Sequence, residues 1–266
     1  MTRRLPSDLT SYDLLKTWAV GAMLVDHTGY YFYPEDDWLR AAGRLCVPVF
    51  FFLIGYANSR DVGPKMWGGL AILVLGNIVT GMYLFPLNIL ATMLFLRFAI
   101  DPVMRAATVD FERLTGLMLI ILFLFIPSVK LWEYGVGGLP IAMYGWLCRH
   151  PDRRGFFTPL GTLVFGAVAL GVYAFEESIL FGFDRLQTLM VALGSFALFG
   201  VMSVFRPATF PGITAALPGP VTGLIRFVGR YSLEIYVVHL LVFKVAALAL
   251  GDARFGLFNV TLFPHP

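Results

Sequence analysis

Charged side chains are scarce in this chain of 266 residues: 14% of the residues are charged and 58% are hydrophobic. The mean hydropathy is +0.76. Soluble domains carry about 25% charged residues, so this chain cannot cover a water-facing surface with charge. The composition therefore excludes an ordinary soluble protein and predicts an all-α, polytopic transmembrane helical bundle.

Cysteines and basic blocks are also few. The two cysteines, Cys46 and Cys148, lie in or beside hydrophobic segments without paired spacing, which is typical of small buried side chains. The formal charge of +3 is modest and comes with no run of Lys or Arg. The chain is therefore not expected to bind nucleic acid.

Several motifs that mark common enzyme classes are missing from the sequence. It has no Walker A motif, no GxSxG and no HExxH, which argues against P-loop, serine hydrolase and zincin chemistry. Its four histidines are His27, His150, His239 and His265. They do not have the spacing of metal ligands, so no metal centre is expected.

Hydrophobic segments follow one another along the whole chain. Breaks at proline, glycine and charge clusters indicate about nine membrane spans, within a range of about eight to ten. The predicted spans are 12–33, 40–59, 66–84, 86–104, 115–129, 132–148, 158–176, 186–205 and 226–250. The fifth and sixth are short and contain Pro127 and Pro140, so we expect broken or re-entrant helices there. No long soluble insertion or internal repeat interrupts the pattern, and we expect 1–266 to form a single membrane domain.

The basic residues fall on every second connection between these spans. The basic connections hold Arg3 and Arg4, Arg60 and Lys65, Arg105 and Arg113, Arg149 to Arg154, and Arg206. The intervening connections instead contain "PEDDW", "WEYG" and "FEESILFGFD". By the positive-inside rule the N-terminus is predicted to be cytoplasmic, with "PEDDW" on the outer side.

The first span carries three ionisable residues, Lys16, Asp26 and His27. Lys16 and His27 are eleven residues apart, which is three helical turns plus about 20°, so both lie on one face about 16 Å apart. Asp26 points about 100° away from His27. Because a charge in lipid costs several kcal/mol, this face is predicted to turn towards the protein interior or a wet cavity. The alternative for Lys16 is that it snorkels to the interface.

The second span adds Arg44. A hairpin about Glu35 and Asp36 would bring Arg44 to nearly the depth of His27, beside Asp26. The carboxylate and the guanidinium would neutralise each other, and the imidazole would remain available for proton transfer. A purely structural Asp26–Arg44 pair is the other interpretation.

The last span carries a polar stripe. Ser232, Tyr236 and His239 follow i, i+4, i+7 spacing on an otherwise apolar helix. Arg230 and Glu234 form an i, i+4 pair. Elsewhere Asn88 is either a helix cap after Pro86 or a ligand contact.

These segments together resemble the TraX family, which comprises integral-membrane acetyltransferases that N-acetylate conjugative pilin. The resemblance begins in "LLKTWAVGAMLVDHTGYYF" and "WLRAAGRLCVPVFFFLIGYANSR". It continues through "LNIL" and "YGVGGLPIAMYGWLCR" and ends in "IYVVHLLVFKVAALAL". The Lys16-x10-His27 spacing is also similar to the (Arg/Lys)-x10-His signature of the wider membrane acyltransferase superfamily.

The resemblance implies acetyl transfer from acetyl-CoA to an acceptor at the bacterial cytoplasmic (inner) membrane. The expected partners are acetyl-CoA, a pilin-like or other membrane-associated acceptor, and membrane lipid. The candidate site residues are His27, Asp26 and Arg44 for catalysis, Lys16 and Arg60 for the donor, and Asn88, Tyr236 and His239 for the substrate. His27 would act as the general base.

Two other functional classes remain open from the residues. An O-acetyltransferase acting on a surface glycan or lipid would use the same groups. A proton-coupled transporter also places Asp, His and Arg on buried helix faces, although the inverted repeats typical of transporters are not visible. A non-enzymatic assembly factor is the third alternative. The acetyltransferase hypothesis predicts a transverse cavity open on both sides, with the donor near Lys16 and Arg60 and the acceptor near Arg44.

Overall fold

The computed structural model describes residues 6–264, and this part of the chain is helical, with two isolated β-bridges and no β-strand element. Arg3, Arg4 and His265, which entered the sequence argument, lie outside the described residues. The helices are α1 Ser11–Phe32, α2 Asp37–Gly43, α3 Cys46–Tyr56, α4 Pro64–Thr80, α5 Ile89–Ala107, α6 Phe111–Val129, α7 Gly138–Arg149, α8 Pro159–Leu180, α9 Arg185–Ser203, α10 Pro211–Ala216, α11 Gly219–Arg230 and α12 Ser232–Ala249. A 3-10 turn, Pro151–Arg153, follows α7.

Five helical segments within residues 6–264 are long and apolar enough to cross a membrane. They are Asp37–Tyr56, Phe111–Val129, Pro159–Leu180, Arg185–Ser203 and Ser232–Ala249. The predicted number of nine spans is therefore not confirmed. Helix α1 is not among the five segments, because its ionisable residues lower its mean hydropathy. The 12 residues of α7 rise about 18 Å, well short of a hydrocarbon core of about 30 Å. The cytoplasmic placement of the N-terminus stays a prediction.

The predicted segments differ from the helices in three places. The segment 226–250 is not one helix, because the chain breaks at Tyr231 between α11 and α12. α6 runs through Pro127 without ending there. The segment 132–148 becomes helical only at Gly138, and the preceding residues form a series of turns joined by a β-bridge between Trp132 and Leu87.

Helices α3 and α7 form the centre of the bundle. Ten of the 11 residues of α3 are buried. Two glycines allow the backbones to approach closely. A Cβ on Gly55 would lie 1.7 Å from the Ala142 carbonyl oxygen, and one on Gly145 would lie 2.2 Å from the Phe52 carbonyl oxygen. Such small residues are typical of close helix contacts in membranes.

The peripheral helices expose apolar side chains. In α6, Leu122 is 68% exposed and Phe123 is 81% exposed, and α8 and α9 likewise present exposed Leu, Val and Phe side chains. A continuous apolar exterior of this size fits contact with lipid rather than with water. The structure is therefore that of a helical membrane protein with a buried α3–α7 pair.

The close approach of α3 and α7 predicts that Gly55→Ala destabilises the protein. The added methyl group would collide with the Ala142 carbonyl, at a cost of about 1–3 kcal/mol. A thermal melt in detergent should show a lower midpoint. The matched control is Gly116→Ala in α6, where an added Cβ meets nothing within 4 Å and the midpoint should hold or rise slightly. Equal midpoints for the two variants would contradict this packing.

Candidate active site

A cavity of about 1050 Å³ lies between α1, α3, α4, α5 and α12 and the ends of α8 and α11. Both Lys16 and His27 line it, so the polar face of α1 turns inwards, as the sequence predicts. The two residues are separated along the helix by a rise of about 16 Å. We call the two regions of the cavity the Lys16 end and the Arg44 end, after the residues that line them.

A buried ion-pair network holds the Arg44 end together. Arg44 donates from Nη2 to Asp26 Oδ2 at 2.7 Å and from Nε to Asp26 Oδ1 at 3.0 Å, a bidentate pair. Arg40 adds a bond from Nη1 to Asp26 Oδ2 at 3.0 Å and another to the Asp26 carbonyl at 3.1 Å. Asp26 is 4% exposed and Arg44 is 7% exposed. The α1–α2 hairpin therefore brings Asp26 and Arg44 together at one depth.

Gly43 explains how closely the hairpin packs. A Cβ at Gly43 would lie 2.2 Å from the Asp26 Cβ, so the backbone of α2 passes directly against Asp26. Both carboxylate oxygens of Asp26 are occupied by guanidinium donors, and Asp26 is not among the residues that line the cavity. Its place in the structure is that of a positioning group rather than of a group that meets substrate.

His27 is hydrogen-bonded to His239 on α12, with 2.7 Å between His27 Nδ1 and His239 Nε2. His239 Nδ1 lies 2.7 Å from the Ile235 carbonyl oxygen. A carbonyl can only accept, so His239 must carry its proton on Nδ1 and accept at Nε2. His27 then donates from Nδ1, and its own Nε2 is left with a free lone pair. The histidine pair thus fixes the tautomer in which His27 Nε2 is a base.

The histidine pair changes the role predicted for His239. We predicted that it contacts substrate, but it is 8% exposed and lies behind His27, outside the residues that line the cavity. Asp26 does not orient His27 through Nδ1 either, because its Oδ2 lies 3.8 Å from His27 Nε2. The Asp26 carboxylate instead lies on the Nε2 side of the imidazole ring.

Helix α8 contributes two residues that the sequence argument missed. The Tyr173 hydroxyl donates to the Arg44 carbonyl at 2.7 Å, and Glu177 Oε2 lies 3.8 Å from Arg44 Nε. Glu177 is 3% exposed, and its Oε2 has no hydrogen-bond partner within residues 6–264. The sequence predicts Glu177 in an outer connection, whereas α8 continues to Leu180. The i, i+4 spacing of Tyr173 and Glu177 on an apolar helix was the signal.

The turns before α7 deliver Tyr134 to the same end. Its backbone is left-handed, with φ of 65°, and Arg44 Nη1 donates to its hydroxyl. The segment is anchored by bonds from Glu133 N to the Leu87 carbonyl at 2.8 Å and from Leu87 N to the Leu131 carbonyl at 2.9 Å. Because its oxygen accepts from Arg44, the Tyr134 hydroxyl keeps its own hydrogen for another acceptor in the cavity.

Arg60 lies away from the cavity, although we predicted it to hold the donor. Its guanidinium caps the end of α3, donating from Nη1 to the Ile54 and Ala57 carbonyls at 2.8 Å and 2.7 Å. Its Nε pairs with Asp101 at 3.1 Å. It is absent from the lining residues, so its donors are used to satisfy the carbonyls at a helix terminus.

The remaining predicted residues line the cavity. Asn88 is the N-cap of α5 and accepts from Leu90 N at 3.0 Å, so the cap interpretation holds, and it also lines the cavity. Tyr236 is 5% exposed and lies with its ring 6.0 Å from that of His27. Lys244, a cation within α12 that we did not single out, donates to the Asn77 side-chain oxygen.

The described residues contain no group of three or more His, Cys, Asp or Glu side chains arranged to hold a metal ion. The groups that meet at the Arg44 end are an imidazole, two guanidiniums, carboxylates and tyrosine hydroxyls.

The fold and site define a class: a helical membrane protein with a large internal cavity, in which a histidine pair lies beside a buried Asp–Arg network. The chain belongs to the TraX family, because the family model described as TraX protein matches residues 11–247. An uncharacterized protein of Rickettsia prowazekii (strain Madrid E) is 33% identical over 156 residues, which cover 53% of this chain and 57% of that relative. The chain thus spans less than two thirds of the relative's length. No solved structure matches the chain.

The histidine pair predicts a measurable tautomer. Solid-state NMR of protein labelled with ¹⁵N-histidine in bilayers should show His27 protonated at Nδ1 and unprotonated at Nε2. The His27→Gln variant identifies the resonance. In His239→Leu the acceptor is lost, and the signal should shift towards a mixture of tautomers. A His27 protonated at Nε2 in the wild-type protein would show that the pairing is different.

Proposed function

We propose that this protein is a membrane acetyltransferase that moves the acetyl group of acetyl-CoA to a primary amine, and that the acceptor is the N-terminus of a pilin-like protein. The observation that carries the proposal is the cavity that joins Lys16 to the free Nε2 of His27. An extended pantetheine arm is comparable in length to the separation of about 16 Å between these residues. The family is associated with pilin acetylation.

The donor is proposed to enter at the Lys16 end. Lys16 lines the cavity rather than lipid, and a compact ammonium is suited to a phosphate or to a pantetheine polar group. The arm would then run along α1 and bring the thioester to His27. Arg60 has no part in this step, because its donors are bound to the end of α3.

His27 is proposed as the general base of the transfer. The acceptor ammonium loses one proton to water, and the amine nitrogen then forms a bond to the acetyl carbon while Nε2 takes the second proton. The carbon–sulfur bond breaks, and the CoA thiolate leaves with its electron pair. The imidazolium returns the proton to that thiolate. The products are the acetylated amine, CoA thiol and one released proton.

The oxyanion of the tetrahedral intermediate is assigned to Tyr134. The sequence makes Arg44 a candidate for catalysis, but each of the three nitrogens of its guanidinium already donates to Asp26 or Tyr134. Tyr134 accepts from Arg44 and can donate its hydroxyl hydrogen, and bonding to a cation strengthens a hydroxyl donor. The positive charge of Arg44 therefore acts on the oxyanion through Tyr134.

Glu177 favours an amine over a hydroxyl as the acceptor. A buried carboxylate oxygen without a hydrogen-bond donor is costly, and Glu177 Oε2 is such an oxygen on a residue that lines the cavity. An incoming ammonium group supplies both a charge and donors. A neutral hydroxyl, as in a glycan, supplies less. This is why N-acetylation is preferred to the O-acetylation alternative.

The proposed sidedness follows from the two ends of the cavity. With the N-terminus in the cytoplasm of a bacterium, the Lys16 end takes acetyl-CoA from the cytoplasm and the Arg44 end meets the acceptor in the outer half of the inner membrane. A pilin-like acceptor exposes its new amine on that outer side after leader removal. The acetyl group, rather than the whole donor, would thus cross most of the bilayer.

His27→Gln should lower acetyl transfer from acetyl-CoA by about 100-fold or more, because the amide cannot accept the proton. The assay is acetyl-CoA turnover by protein in nanodiscs with a peptide that presents a free N-terminal amine. The control is His150→Gln. His150 Nδ1 lies 3.1 Å from the Trp146 carbonyl and outside the cavity lining, so its turnover should hold. Near-normal turnover in a folded His27→Gln protein would contradict the role of His27 as general base. If the wild-type protein does not turn over acetyl-CoA but carries out proton-coupled uptake across a membrane, the transporter alternative is favoured.

Glu177→Gln should raise the KM for the amine peptide about tenfold, since the charge-assisted bonds to the ammonium are lost. Donor affinity should change little, because Glu177 lies away from the Lys16 end. Glu112→Gln on the exposed start of α6 is the matched control. An unchanged KM for the peptide would argue that Glu177 does not meet the acceptor, and a gain of activity on sugar hydroxyls would favour O-acetylation.

A further inference from the structure

The Lys16 end of the cavity is strongly cationic. Four helices each place one cation in its lining: Lys16 from α1, Lys65 from α4, Arg97 from α5 and Arg230 from α11. One lining carboxylate, Glu234, lies among them. Cations drawn from four separate elements to one region repel one another, so their convergence calls for an anion.

Two of these cations already have acidic partners within the protein. Lys65 Nζ lies 2.5 Å from Glu234 Oε1, and both side chains are well exposed. Arg230 Nε lies 3.3 Å from Asp13 Oδ1, and its Nη2 donates to the Pro6 carbonyl at 2.7 Å. The Lys65–Glu234 pair is exposed, so it is weak and exchanges readily for a stronger anion. The Asp13 side chain is only 5% exposed, so Arg230 keeps that pair and offers its remaining N–H donors.

The other two cations lack a carboxylate within 4 Å in the described part of the chain. Arg97 Nη1 reaches the Asp61 and Ser59 carbonyls at 3.2 Å and 3.4 Å. Its Nε is buried and has no hydrogen-bond partner within residues 6–264. The nearby Asp61 carboxylate accepts from the Ser59 hydroxyl at 2.7 Å. A guanidinium has five N–H donors in a planar fork, so most of those on Arg97 remain for a ligand.

Phosphate is the anion that this arrangement fits. A guanidinium binds phosphate oxygens through two parallel bonds, and lysines add point charges around it. One carboxylate would not need four cations. A ligand with several phosphates on a flexible scaffold can reach all four. Coenzyme A is such a ligand, since it carries a diphosphate and a 3′-phosphate beyond its pantetheine arm.

Resting on the proposed function, we propose that Lys65, Arg97 and Arg230, together with Lys16, bind the phosphates of the donor and are the residues that select acetyl-CoA over a phosphate-free acetyl thioester. Arg97 is the central group, because it lines the cavity, has no carboxylate within 4 Å in the described part of the chain and uses only Nη1 for its hydrogen bonds there. The phosphates would be held at the Lys16 end while the pantetheine arm extends towards His27. Lys16 then lies where the phosphates of the donor join its pantetheine arm.

The test compares two acetyl donors in nanodiscs of zwitterionic lipid. Acetyl-CoA carries the phosphates, and S-acetylpantetheine has none. Arg97→Gln should raise the KM for acetyl-CoA about tenfold, and the KM for S-acetylpantetheine should change less than twofold. Lys65→Gln changes an exposed side chain and should not disturb folding. It should also raise the ratio of the KM for acetyl-CoA to the KM for S-acetylpantetheine. Arg105→Gln is the matched control, because Arg105 is exposed on the same helix outside the cavity lining.

The outcomes separate this inference from the proposed function. If the wild-type protein turns over both donors with equal KM, or if both variants leave the KM ratio at the wild-type value, the phosphate site is wrong and the acetyltransferase stands. If the variants weaken only the binding of anionic lipid, added to the nanodiscs as phosphatidylglycerol, the site belongs to a headgroup and the inference again fails. If neither donor is turned over and CoA does not bind, the proposed function itself fails.

Discussion

The bidentate ion pair between Asp26 and Arg44 is the interaction on which the rest of the site depends. Each charge alone would be too costly in a membrane interior, and removing one would leave the other uncompensated. Arg44 also carries the bonds to Tyr134 and Tyr173. The side chain and the backbone carbonyl of Arg44 therefore connect the α1–α2 hairpin to the turns before α7 and to α8. His27 lies next to this junction.

Much of the helical pattern and part of the site follow from local sequence. Hydrophobic runs and their breaks placed seven helical segments within about four residues of their observed bounds, because the lipid boundary imposes the pattern directly. The cost of ionisable groups in lipid likewise predicted that Lys16 and His27 face inwards and that Asp26 meets Arg44. The break at Tyr231 was missed, although Arg226, Arg230 and Glu234 make the sequence around it polar.

The remaining differences arise from contacts between distant parts of the chain. Arg60 looks like any basic residue on a connection, and only the folded end of α3 shows which carbonyls it satisfies. Glu177 looked like a residue of an outer connection because the charge cluster that it forms with Glu176 was interpreted as the end of the apolar span. His239 belongs to a polar stripe that is visible in the sequence. Its partner His27 lies 212 residues away, and no local pattern indicates that the two residues pair. Local patterns predict which face is polar, and tertiary packing decides what that face meets.

The two ends of the cavity differ in charge, and this difference suits a reaction between two dissimilar substrates. Lysine and arginine predominate at the Lys16 end. At the Arg44 end the guanidiniums are balanced by Asp26 and Glu177, and further carboxylates line the wall. A polyanion and a cation therefore find favourable potentials at opposite ends, and they do not compete for one binding surface.

The long separation of His27 and His239 along the chain has a consequence for biosynthesis. His239 is synthesised 212 residues after His27, so the pair can close only after the whole segment between them has been made. Until then nothing holds the imidazole of His27 in the basic tautomer. A nascent chain that lacks α12 would have the cationic region and much of the cavity wall, but no His239 to orient the imidazole of His27. Synthesis of α12 is thus coupled to the formation of the histidine pair.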